Sequence, residues 1–136
     1  MMITIIGYLV ALAIFVGSDM VWLGIMAPRF YRPTLGDIAV ASVNLPPAVV
    51  FYAMYPIGLV IFAIHPALKI GSLPAAALYG ALFGLFTYAT YDLTNQATLR
   101  NWTLALTVVD VSWGAVLGTI TSMVSFAVVS RVFAAS

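Results

Sequence analysis

Apolar positions run along this chain in four long blocks, each too continuous to be one face of a soluble amphipathic helix. The first extends from about Ile3 to Ala27 and is broken only by Ser18 and Asp19. The second runs from about Leu45 to Ile64, the third from about Leu73 to Tyr91, and the fourth from about Thr103 to Val129 with Asp110 inside it. A helix needs about 20 apolar residues to cross about 30 Å of hydrocarbon, so each block predicts a transmembrane span. Helix breakers stand at the ends. Pro28, Arg29 and Arg32 are expected to close the first span, and His65, Pro66 and Lys69 the second. Pro46, Pro47 and Pro74 fit first turns, where a missing N–H costs nothing. Arg100, Asn101 and Trp102 open the fourth span, with Trp102 at headgroup depth.

The first block has no Lys or Arg ahead of it and is too long for a signal-peptide core, so it is expected to be a span. No linker, charged run or low-complexity segment divides the chain. The pattern therefore predicts one domain over residues 1–136, an all-α integral membrane four-helix bundle. Short links make spans two and three, and three and four, antiparallel neighbours. The longest link, Pro28 to Asn44, has room for a short interfacial helix over Thr34 to Val43, with Leu35 and Ile38 on one face. Four spans put both termini on one side, termed here the terminal side; the opposite is the loop side. Arg29, Arg32 and Arg100 fall on the loop side and Lys69 and Arg131 on the terminal side, which leans toward termini outside.

Composition agrees and narrows the chemistry. The 136 residues are 64% hydrophobic and 7% charged, against about 25% charged in soluble domains. Mean hydropathy is +1.13. A soluble fold this small cannot hide that much apolar surface. A net charge of +1 with no basic run gives no footprint for nucleic acid. With no Cys and a single His, thiol chemistry, zinc sites and paired haem ligands are excluded, so no metal or cofactor is expected. A carboxylate could act as a general acid, but no nucleophile or cofactor motif argues for catalysis, and enzymatic activity stays open.

Two stripes of small residues suit close helix packing in lipid: Ala76, Gly80 and Gly84 on span three, and Gly114, Gly118 and Ser122 on span four. With a turn near Ala97, Gly84 is expected opposite Asp110 and Gly80 opposite Gly114. Asp110 continues the stripe and so points into the bundle.

Ionisable residues inside a span cost at least about 2.5–3.5 kcal/mol at its centre and mark functional sites by default. Asp19 and Asp110 lie about 12–13 Å below the loop-side ends of spans one and four, at 1.5 Å rise per residue. Each is followed three residues later by a tryptophan, Trp22 and Trp113, on the same helix face. An indole offers an N–H donor and an apolar wall. Asp92 ends span three on the loop side, with Tyr88 one turn before it and Tyr91 and Asn95 close by in sequence; it could equally cap a turn through the N–H groups of Thr94 or Asn95. Tyr52 and Tyr55 of span two reach the same half, as do Arg29 and Arg32. Only Lys69 and Arg131 carry charge toward the terminal side, which is otherwise expected to be a nearly inert apolar half.

Several strings carry a resemblance: Ser18-Asp19-x-x-Trp22-Leu23-Gly24, Phe30-Tyr31-Arg32-Pro33-Thr34-Leu35-Gly36, Pro47-Ala48-x-x-Phe51-Tyr52, Tyr88-Ala89-Thr90-Tyr91-Asp92-Leu93-Thr94-Asn95 and Asp110-x-x-Trp113-Gly114. Together they resemble a family of small bacterial membrane proteins, domain of unknown function 2177, over nearly the whole chain. The resemblance implies a four-span protein of the bacterial inner membrane with no assigned activity, and it carries no catalytic residue over. The leading expectation is a bilayer-embedded pocket for a small apolar or amphipathic molecule, a lipid, isoprenoid or fatty-acid derivative. Asp19, Asp92 and Asp110 would give polar contacts and Trp22, Trp113, Tyr88 and Tyr91 the walls, with Tyr52 and Asn95 as further candidate contacts. Arg29 or Arg32 would meet an anionic headgroup. The alternatives are an accessory subunit of a respiratory or photosynthetic complex and a homo-oligomeric proton-coupled transporter.

Overall fold

The computed structural model describes residues 1–134 and contains four helices long and apolar enough to cross a membrane. They are α1 (Met2–Ile38), α2 (Leu45–Ile70), α3 (Leu73–Thr98) and α4 (Leu104–Ala134). The multi-pass membrane bundle is therefore as the apolar blocks predict. α4 packs against α1 and α3, and α2 closes the ring between α1 and α3.

The prolines do not end helices as expected. α1 continues past Pro28 through a π-turn at Ala27–Tyr31 and a further helical turn at Arg32–Leu35. α2 continues past Pro66 after a π-turn at Val60–Ile64, and runs to Ile70, where Gly71 caps it with φ +70°. The two π-turns share one cause. In each, the residue just before a proline donates five residues back: Arg32 to the Ala27 carbonyl and His65 to the Val60 carbonyl. Pro33 and Pro66 have no N–H, and their rings crowd the carbonyl four residues earlier. Widening the turn before the ring relieves the clash and lets the helix carry on, as prolines in membrane helices commonly allow.

The link after α1 is correspondingly short. The expected interfacial helix over 34–43 is reduced to one 3₁₀ turn, Gly36–Ile38, at the end of α1, because Arg32–Leu35 already belong to α1. Beyond Ile38 the chain runs without regular structure to Asn44. Asn101, in the turn between α3 and α4, clasps this link by donating to the Leu35 carbonyl at 2.8 Å and to Asp37 Oδ1 at 2.9 Å.

The small-residue seam closes α3 on α4, but one turn out of the expected register. A Cβ on Gly84 would overlap the Gly114 carbonyl, and one on Gly80 would overlap that of Gly118. α3 runs to Thr98, beyond the turn expected near Ala97, which shifts the pairing by four residues. Asp110 therefore falls level with Tyr88, not Gly84.

The terminal half is less bare than its charges suggest. Thr121, Ser122 and Ser125 are buried on α4, and their hydroxyls have no hydrogen-bond partner among the described residues. Ser122 lies against Gly80, so its small size serves the close approach of α3. Between these residues and the loop-side acids lies an apolar layer of Phe15, Leu59 and Leu117.

Candidate functional site

The two Asp-x-x-Trp motifs meet and cross. α1 and α4 are antiparallel and packed together, so the same spacing on each presents an acid and an indole to the other helix. Trp113 Nε1 donates to Asp19 Oδ1 at 2.9 Å. Trp22 Nε1 donates to the Tyr31 hydroxyl at 2.9 Å, and that hydroxyl donates to Asp110 Oδ1 at 2.6 Å. The two indoles stack face to face between these bonds, centroids 4.4 Å apart and planes 3° from parallel. Each tryptophan thus serves the other helix's aspartate, one directly and one through Tyr31.

Asp19 also ties in α2. Its second oxygen accepts from the Tyr52 hydroxyl at 2.5 Å, so one carboxylate joins three helices. It is 5% exposed, and both its oxygens are met. Asp110 accepts from Tyr31 at Oδ1 and meets the Asp92 carboxyl across the α3–α4 seam.

Tyr31 is the member that sequence reading did not select. In a regular helix, nine residues place it about 180° around from Trp22 at 3.6 residues per turn. The π-turn at Ala27–Tyr31 changes that phase and turns the hydroxyl toward Asp110. The available signal was Pro33, two residues on, left unused because Pro28, Arg29 and Arg32 were expected to end the span. Tyr55 and Thr87 form a second unselected pair, hydroxyl to hydroxyl at 2.8 Å, joining α2 to α3.

Asp92 does not cap a turn. It sits inside α3, is 0% exposed, and neither oxygen has a donor apart from the Asp110 carboxyl among the described residues. Its partner is the Asp110 carboxyl across the α3–α4 seam.

These groups border a cavity of about 1010 Å³. Asp19, Trp22, Tyr31, Tyr52, Tyr88, Tyr91 and Asp110 line its polar end, and Phe51, Met54, Ile57, Ile61 and Phe83 its apolar end. The cavity exists because α2 leans. Its loop-side segment Leu45–Leu59 packs on α1, whereas contact with α3 is made mainly by the Val60–Ile64 turn. Met54, Ile57 and Ile61 are exposed at the resulting gap, so the cavity opens sideways toward lipid.

Six of the expected site residues line this cavity: Asp19, Trp22, Tyr52, Tyr88, Tyr91 and Asp110. Five do not. Trp113 lies behind Trp22, where it orients Asp19. Asp92 faces the helix seam, and Asn95 follows it one turn beyond the cavity. Arg29 and Arg32 are exposed on the extension of α1, and Arg32 reaches the Ala41 carbonyl at 3.4 Å. No basic side chain lines the cavity, because helix continuation carries both arginines past it. The one ion pair among the described residues, Arg100 with Asp37 at 3.8 Å, is at the exposed loop side. The described residues contain no cluster of three metal-ligating side chains.

A family model described as "Predicted membrane protein (DUF2177)", a family of unknown function, matches residues 4–127. No curated protein and no solved structure matches the chain.

Proposed function

We propose, for a chain that belongs to the DUF2177 family of predicted membrane proteins, that it binds a small apolar or amphipathic molecule within the bilayer. The observation that carries this reading is the lateral cavity of about 1010 Å³, apolar at its mouth and lined with carboxylates and hydroxyls at its inner end. That volume is at the upper end of known small-molecule pockets, and mostly apolar walls with a few fixed polar groups are their usual build. A lipid or isoprenoid tail entering between α2 and α3 would exchange bilayer for an equally apolar wall. The polar head would then decide affinity through the acids and tyrosines.

The site residues of this reading are Asp19, Trp22, Tyr31, Tyr52, Tyr88, Tyr91 and Asp110, with Trp113 as a positioning residue. Its setting is the bacterial inner membrane, where helical multi-pass proteins reside and outer-membrane barrels do not. The chain acts as a single four-span unit. The small-residue seam is already used between α3 and α4, which leaves it unavailable for an outside subunit.

Native mass spectrometry after gentle extraction tests the reading. The expected spectrum is a chain retaining a lipid-like mass that is lost when the cavity is filled by Gly58→Leu. A chain bound to a foreign subunit, with no retained small molecule, would replace this reading with the accessory-subunit one. A homo-oligomer that drives flux when a pH gradient is imposed would replace it with transport.

A further inference from the structure

The cavity's polar end combines two carboxylates with tyrosine hydroxyls and an indole, and holds no cationic side chain. Asp19 and Asp110 both line it, and no Lys, Arg or His does. Asp19 has spent its nearest donors on Trp113 and Tyr52. Asp110 has one hydroxyl donor, Tyr31, and its carboxyl meets that of the buried Asp92 across the α3–α4 seam. Two carboxyls in contact hold a proton between them, so the Asp92–Asp110 pair carries one negative charge, and Asp19 stands as a second acid at the same end. The surrounding wall is aromatic. Trp22, Tyr31, Tyr52 and Tyr88 line the same end, with the Tyr88 ring seated over Gly114, one turn from Asp110.

An anionic head would meet carboxylates and no counter-charge. A neutral hydroxyl could donate one hydrogen bond and would leave the charge uncompensated. A cation answers both features, because ring faces attract positive charge and do so most strongly where water is excluded. Resting on the cavity-binding reading, we infer that the ligand is an organic cation: an ammonium head on an apolar tail, with Asp110 as its counter-charge and Trp22, Tyr31, Tyr52 and Tyr88 around it. The tail lies toward Phe83 and the gap between α2 and α3.

The test uses the full chain in lipid nanodiscs, titrated with dodecyltrimethylammonium, dodecanol and dodecanoate against empty nanodiscs. Tryptophan fluorescence is the readout, since Trp22 and Trp102 line the cavity and Trp113 stacks on Trp22. The ammonium is expected to bind about 10-fold or more tightly than the alcohol, with the carboxylate weakest. In Asp110→Asn that preference should shrink to about 1-fold while dodecanol still binds, which also shows the variant is folded. Should Asp110→Asn bind nothing, the wild-type series alone decides. Saturable binding in which the alcohol or carboxylate equals the ammonium overturns the cation assignment and leaves the cavity reading standing. Absence of saturable binding by all three overturns both.

Discussion

Trp22 and Trp113 stack with their ring centroids 4.4 Å apart, and each indole serves the aspartate carried by the opposite helix. An identical three-residue spacing on two antiparallel helices gives this exchange an approximate two-fold character. The symmetry is broken at one point: Trp113 reaches Asp19 directly, while Trp22 reaches Asp110 only through Tyr31.

That asymmetry predicts unequal costs. Trp113→Phe keeps much of the stack but removes a donor from a carboxylate that is 5% exposed, and should cost about 1–3 kcal/mol. Trp22→Phe leaves the Tyr31–Asp110 bond in place and should cost less. Reversible unfolding in mild detergent measures both, and equal losses would show that Asp19 does not depend on the indole.

Tyr31→Phe strips Asp110 of its hydroxyl donor and should cost about 1–3 kcal/mol. Pro33→Ala lets the preceding turn return to ordinary helix, which would swing Tyr31 out of reach. The two changes break the same bond, so the double variant should lose no more than the larger single loss. Full additivity would mean the π-turn does not aim Tyr31.

The α3–α4 seam sorts glycines by position. Gly84→Ala would push a methyl into the Gly114 carbonyl and should destabilise by about 1–3 kcal/mol or more. Gly24→Ala meets nothing within 4 Å and should be silent. Thermal melts of the two variants side by side are sufficient, and a silent Gly84→Ala would refute the close approach.

Asp92 and Asp19 should respond oppositely to a neutral isostere. Asp92→Asn replaces a buried carboxyl–carboxyl contact by an amide that can donate to Asp110, so the melting temperature should hold or rise. Asp19→Asn turns one accepting oxygen into a donor facing Trp113 or Tyr52, so the melting temperature should fall. A drop for Asp92→Asn matching that of Asp19→Asn would mean the Asp92–Asp110 contact holds the seam better than an amide can.

Much of the fold was legible because lipid makes burial a property of composition. Four apolar blocks read directly as four spans, and the spacing of Asp19 to Trp22 and Asp110 to Trp113 fixed which face each shares. Equal depth on antiparallel helices was enough to bring the two motifs together. The prolines misled, since Pro28 and Pro66 look like stops, yet both helices run on through π-turns. Asp92 also misled: as the acid nearest the loop side it suggested a cap, yet α3 runs on to Thr98 and encloses it.

What the sequence determined by itself is therefore the membrane class, the four spans and the half of the bundle that holds the acids, because the cost of placing charge or polar backbone in hydrocarbon acts on each segment separately. Tertiary structure alone decided the register of α3 on α4, the aim of Tyr31, the passage of Arg29 and Arg32 beyond the site, and the gap that α2 leaves beside α3. These depend on the rotational phase of whole helices. One widened turn, or one more turn before a loop, changes that phase for every residue beyond it while leaving the hydrophobic pattern unaltered.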